Sequence, residues 1–243
     1  MRRQAAPFPT VLVLTAIILV PSAGARADAR EEGGPFEIEK CRTISKSGSY
    51  KLVDNITFKG TATNVICLQI TADSVTIDLA GFTISATPFP GVGIAAKPPS
   101  GQLRGIAVRN GALSDFGVAV DLSLADGSIV EGLRIPFALS AGIIANGIVK
   151  NNTVLNVFGG DDIGTAISAT GIIAGNYVSG AEVLGIGTGQ GSTVIGNTAM
   201  GVFKGPGISV DCPSNVTDNT AVNNHTNLVL NGNGCNNTNN VAP

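Results

Sequence analysis

The sequence predicts an all-β fold: a single-stranded right-handed parallel β-helix (solenoid) of about 7–9 coils. Three observations carry this expectation. An apolar motif recurs along the chain, a column of turn-forming residues runs through it, and the composition is poor in helix formers. The motif reads apolar, two residues, a marker, one residue, apolar. It fits Leu79-x-x-Phe82-x-Ile84, Val108-x-x-Gly111-x-Leu113, Val130-x-x-Leu133-x-Ile135 and Val149-x-x-Asn152-x-Val154. It returns at Ile173-x-x-Asn176-x-Val178, Val194-x-x-Asn197-x-Ala199 and Val216-x-x-Asn219-x-Ala221, the first residues lying 29, 22, 19, 24, 21 and 22 apart. A degenerate copy precedes them at Val53-x-x-Ile56-x-Phe58.

The residue two after the first apolar position is Gly81, Asn110, Gly132, Asn151, Gly175, Gly196 or Asp218. These types tolerate left-handed backbone angles, so the column is expected to bend the chain between two strands. A second apolar series, such as Gly117-Val118-Ala119-Val120 and Gly207-Ile208-Ser209-Val210, runs between the copies at similar spacing. Each repeat thus holds at least two short strands, and these bury a face only by stacking in parallel at about 4.8 Å per coil. Asn152, Asn176, Asn197 and Asn219 fill the marker position and are expected to point inward as an amide ladder, the competing reading being exposed turn residues. With 32 Gly, no Trp and only 13% charged residues, the chain suits tight turns between apolar strands rather than amphipathic helices.

The first residues read as a targeting segment. Arg2 and Arg3 precede the apolar run Val11 to Val20, and Ala23-Gly24-Ala25 and Ala25-Arg26-Ala27 offer A-x-A cleavage sites. That run is too short for the roughly 20 residues that span a bilayer, and no later segment replaces it. The expected organisation is a signal peptide over 1–27, an N-terminal linker over 28–40, the β-helix over 41–235 and a polar tail over 236–243. The expected location is therefore secreted or periplasmic. In such an oxidising compartment Cys41, Cys67, Cys212 and Cys235 are expected as disulfides, since His225 is the sole histidine and no Cys-x-x-Cys occurs. Cys212 ends one strand and Cys235 follows the equivalent strand a coil later, so these two should pair, leaving Cys41 with Cys67 at the other end.

The run Val75-Thr76-Ile77-Asp78-Leu79-Ala80-Gly81-Phe82-Thr83-Ile84, followed by Gly-Ile and Asn-Thr-Val type coils down to Ala221, resembles the pectate-lyase-like (pectin lyase-like) superfamily of parallel β-helix proteins. The resemblance covers roughly residues 41 to 235 and specifies fold more than activity, because one fold hosts many functions. Members that hydrolyse polygalacturonan use several carboxylates and a Gly-His-Gly motif. Here Asp161 and Asp162 are similar to the paired aspartates, but the histidine motif is absent. Lyase members bind calcium and use an arginine or lysine as base. By the repeat register Arg109, Glu131 and Lys150 share one outward column, and Arg134 and Tyr177 share another three positions on. These are the candidate catalytic residues (Arg134, Lys150, Glu131, Arg109) and binding residues (Tyr177, Asp161, Asp162). The competing reading of the first column is a cross-coil charge ladder.

From residue 111 onward there are three basic and nine acidic residues, which disfavours nucleic acid and an uncompensated polyuronate. The expected function is a non-catalytic cell-surface or periplasmic recognition or scaffold protein contacting a polysaccharide or another surface component. No cofactor is expected on that reading. The alternative is a calcium-assisted polysaccharide lyase acting on a uronate-containing polymer.

Overall fold

The computed structural model describes residues 34–59, 65–87, 91–160 and 163–243. The expected signal peptide lies outside them. All regular structure among the described residues is β, in parallel pairs that join each strand to its counterpart one coil on. The repeat closes with three faces, one more than the minimum of two strands read in the sequence, and about eight complete turns stack as a solenoid.

The first face contains Gly48–Leu52, Val75–Asp78, Thr193–Ile195 and Asn215–Thr217, together with the matching parts of longer strands such as Ala107–Ser114. The second face follows the corner and includes Thr83–Thr87, Thr153–Val157, Tyr177–Ala181 and Thr198–Met200. The third face includes Ile66–Ile70, Val92–Ala96, Phe116–Leu122, Leu184–Thr188, Pro206–Asp211 and Thr226–Asn231. Alternation sends Ile77, Val108, Val130, Val149, Ile173, Val194 and Val216 inward from the first face. Ile94, Val120, Ile143, Ile167, Ile186 and Ile208 meet them from the third, all with zero exposure.

The seven predicted corner residues all take positive φ, between 55° and 86°, and Asn239 adds another at 54°. The corner stacks directly: the Gly81 N–H donates to the Asn110 carbonyl at 2.7 Å, and the Gly196 N–H to the Thr217 carbonyl at 3.2 Å. From the coil of Gly81 onward, left-handed geometry at this corner is what turns the first face into the second.

The marker asparagines form the predicted internal ladder. Asn152, Asn176 and Asn197 are each 1% exposed and Asn219 is 2% exposed. The Asn176 Oδ1 accepts from the Asn152 backbone N–H and from Asn152 Nδ2, both at 3.0 Å. Its Nδ2 donates to the Val149 carbonyl at 2.8 Å and to Asn197 Oδ1 at 2.9 Å. Two acceptor and two donor positions are thereby filled, the full capacity of a primary amide. The pattern repeats at Asn197 and Asn219, and at the upstream end the Leu133 N–H donates to Asn152 Oδ1.

Paired structure extends past both expected limits of the helix. Phe36–Ile38 pairs with Tyr50–Leu52, and Asn236–Thr238 pairs with Asn215–Thr217. Asn240 continues the ladder by accepting from the Asn219 N–H at 2.8 Å. The repeat was hidden there because Asn237 replaces the inward apolar residue that opens every other copy.

Both predicted disulfides are present, Cys41–Cys67 with Cα atoms 4.4 Å apart and Cys212–Cys235 with Cα atoms 5.0 Å apart. Each ties neighbouring coils at one end of the stack, closing sequence separations of 26 and 23 residues. A closed loop of that size should stabilise by about 3 kcal/mol in the chain-entropy model. Chemical denaturation with and without reductant will measure the two together.

Removing a central amide strands its neighbours' polar groups inside a dry core. Asn176→Leu is therefore expected to destabilise by roughly 3–5 kcal/mol, since several buried donors and acceptors lose partners at about 1–3 kcal/mol each. Asn240→Leu, at the open end of the ladder, should cost only about 1 kcal/mol. Urea midpoints of the two variants against the parent test the difference.

Candidate functional site

The stacking places Arg109, Glu131 and Lys150 side by side, as their sequence register requires: Arg109 aligns with Glu131, and Glu131 with Lys150. Asp78 joins them from the preceding coil. Arg109 Nε lies 3.1 Å from Asp78 Oδ2, and Lys150 Nζ lies 2.8 Å from Glu131 Oε2. With Lys51 and Glu37 aligned above Asp78, the column alternates in sign over six coils. Each ion pair is part-exposed and contributes about 0.2–1 kcal/mol, so the arrangement acts as a register-matching surface ladder.

Arg134 stands in the outward column of the second face, aligned with Ala112 and Thr153, and Tyr177 follows Thr153 one coil further on. Thr198 and Thr220 continue that column. Arg134 makes no ion pair among the described residues, while the Tyr177 hydroxyl donates to Met200 Sδ at 3.2 Å. The four candidate catalytic residues thus adjoin the same corner, but the two cations of the first face are each engaged by a carboxylate.

Asp161 and Asp162 lie outside the described residues. The chain leading to them is clamped: the Gly159 and Gly160 N–H groups donate to Glu182 Oε2 at 3.1 and 3.0 Å, and Lys204 Nζ lies 2.8 Å from Glu182 Oε1. The Lys204 hydrogen bond, aided by the two backbone donors and by the lysine charge, holds the Glu182 carboxyl below its ordinary 4.5, against an opposing desolvation.

A concave surface lies elsewhere, on the outside of the third face. A cavity of about 320 Å³ is lined by Ser168 and Thr170 on one coil, Gly187 and Gly189 on the next, and Ser209 and Asp211 on the third. Alternation explains it. Ser168, Gly187 and Ser209 share one outward column. Thr170, Gly189 and Asp211 follow two residues on in the same register. Both outward side chains of the central coil are missing, so two consecutive outward positions are glycine between hydroxyl-bearing walls.

The void is real space for a side chain only in part. A Cβ on Gly187 would meet the Leu184 side chain at 2.6 Å, and one on Gly189 would meet Thr170 Oγ1 at 2.8 Å. Asn231 Nδ2 donates to Ser209 Oγ and to Asp211 Oδ1, each at 3.1 Å, and so orients one wall. The floor carries Thr188, 7% exposed, whose hydroxyl has no hydrogen-bond partner among the described residues. The walls stand two coil steps apart, about 10 Å at roughly 4.8 Å per coil. The sequence by itself singles out none of these residues as a site. The signal was present as Gly185-Ile186-Gly187-Thr188-Gly189, the strand whose outward positions are glycine.

Comparison with known proteins bears on the fold. The chain is similar to the Dettilon tailspike protein (gp208), with a TM-score of 0.52 and 12% identity over 84% of this chain. It spans 54% of that protein's length, about half. The Azotobacter vinelandii mannuronan C-5 epimerase AlgE6 A-module aligns at 11% identity with a TM-score of 0.27, covering 81% of this chain and 86% of the module. No family model and no curated protein sequence matches. The tailspike likeness establishes a shared parallel β-helix architecture, and the site's chemistry must be argued from its own residues.

That chemistry is hydrogen bonding. The lining offers hydroxyls, the Asn146 amide and a single carboxylate, Asp211, with no basic residue or histidine. No group of three or more His, Cys, Asp or Glu side chains suited to a metal occurs among the described residues. Likewise, no helix among them is long and apolar enough to cross a membrane.

The Glu182 clamp gives a pH prediction. A carboxyl held below its ordinary value contributes stability that is present above about pH 4.5 and is lost as the pH falls through the folded value. Melting temperature should therefore decline as pH is lowered from 5 toward 3. Glu182→Gln should lower the melting temperature at pH 6 and make that acid decline shallower, which a thermal melt series over pH reads directly.

Proposed function

We propose that this chain is an exported recognition protein that holds a glycan in the notch of its third face without cleaving it. The observation that carries the reading is the pair of outward glycines, Gly187 and Gly189, set between Ser168 and Thr170 on one side and Ser209 and Asp211 on the other. Sugar hydroxyls are both donors and acceptors. A cleft that sets hydroxyls and one oriented carboxylate beside Ile144 and Leu184 matches them in a way that a wholly apolar pocket would not.

The same inventory argues against cleavage in the notch. Glycoside hydrolysis uses two carboxylates flanking the bond, and the lining supplies one. Elimination from a uronate needs a base and a cationic clamp at the carboxylate, and the lining contains no lysine or arginine. Export is supported by the two disulfides, which persist where thiols are not kept reduced, and by the signal-like first residues.

The lyase alternative rests on Arg134, the one cation of the corner cluster with no ion pair among the described residues. Calcium, if it served that chemistry, would neutralise the uronate carboxylate beside Glu131, while Arg134 removed the proton. Two measurements separate the readings. A glycan array probed with the purified protein is expected to show binding that Gly187→Val, which fills the notch, reduces at least about tenfold, equivalent to roughly 1.4 kcal/mol. Pectate and alginate incubated with and without calcium are expected to give no ultraviolet-absorbing unsaturated product. Calcium-dependent product that vanishes in Arg134→Ala would instead establish the lyase.

A further inference from the structure

The first face presents two outward rows. Ala107, Ile129, Ile148 and Ile172 align in one, and Ile172 is 45% exposed. Beside it run Lys51, Asp78, Arg109, Glu131 and Lys150, then Ala174 and Ile195, the last 38% exposed. Parallel sheets are usually covered on both sides, and β-branched apolar residues in a row on an open one call for a covering partner. The charges restrict what that partner can be.

We propose that this face is a homodimer interface in which two solenoids pack with their coil order reversed. A two-fold axis parallel to the strands, midway between the coils of Arg109 and Glu131, would set Arg109 of one copy over Glu131 of the other, and Asp78 over Lys150. The same axis sets Ala107 over Ile129 and Thr76 over Ile148. Packing with the same coil order about an axis through the charge column would bring each charge onto its own copy, Arg109 over Arg109 and Glu131 over Glu131, which is repulsive at each charged coil. An alternating column is thus self-complementary in the antiparallel arrangement and self-repelling in the parallel one. The strip is narrow, so the dimer is expected to be of micromolar strength and to weaken as salt screens the exposed charges.

Sedimentation equilibrium of the parent protein at low and high salt tests the association. A dimer that dissociates on raising the salt is expected, whereas a monomer at all concentrations up to about 200 μM, well above micromolar dissociation constants, overturns the proposal. Glu131→Lys should weaken dimerisation at least about tenfold by placing cation over cation. The double swap Arg109→Glu with Glu131→Arg breaks the alternation within each chain but keeps opposite charges facing across the axis, so it should retain the dimer. If the double swap dissociates as fully as the single variant, the column serves only the fold and the proposal fails. Thr217→Lys, in the same row but outside the axis, controls for added charge and should leave association unchanged. Melting temperatures of all variants separate loss of pairing from loss of folding.

Discussion

Every coil of this protein must place its strands in register with the coils on either side, because a strand of three to five residues has no other way to satisfy its backbone or bury its face. The asparagine ladder is where that requirement is enforced inside the core. Each amide from Asn176 to Asn219 receives two hydrogen bonds from the coil before it, Asn152 receives one from Leu133, and all four donate to the coils on both sides. A slip of one residue would leave these groups unpaired in an apolar interior, at a cost far exceeding that of losing any surface contact. Over the coils it spans, from Leu133 to Asn240, the ladder thus holds repeats spaced 19 to 24 residues apart in one register.

Once register is fixed, every outward position becomes a column, and the column's chemistry follows from what the chain places in it. The first face alternates charge through Asp78, Arg109, Glu131 and Lys150, so neighbours attract at each coil. The second face carries threonines interrupted by Arg134 and Tyr177. On the third, two outward positions of one coil are glycine, and a groove opens there that the side chains of Leu184 and Thr170 fill only in part. Extra length goes to the corners, which accommodate it without disturbing the stack. The turn after Val157 is one such insertion, held back against the body by Glu182.

The repeat therefore separates stability from function. Residues facing inward and at the Asn-lined corner define the solenoid, and few of them can change without stranding polar groups or leaving voids. Outward residues change at small energetic cost, because a surface ion pair or hydroxyl contributes little to folding. A likeness at 12% identity to a tailspike protein is what such a division produces, with architecture shared and surface independent.

By itself, the sequence determined the parallel β-helix, the left-handed corners, the inward asparagines and both disulfides. Each of these follows from local chemistry repeated at a constant interval: a residue type that tolerates positive φ, an amide between inward apolar neighbours, a cysteine at equivalent points of adjacent coils. It was weaker at the ends, where Asn237 disguises the last copy of the motif and Asn240 was left out of the ladder. Only the tertiary structure decided that Arg109 and Lys150 are held by Asp78 and Glu131, and that a concave surface lies on the third face. A groove depends on which side chains are missing beside which others across coils. Gly187 and Gly189 acquire their meaning from Ser168, Thr170, Ser209 and Asp211, about twenty residues away in either direction, and that adjacency exists only after the coils have stacked.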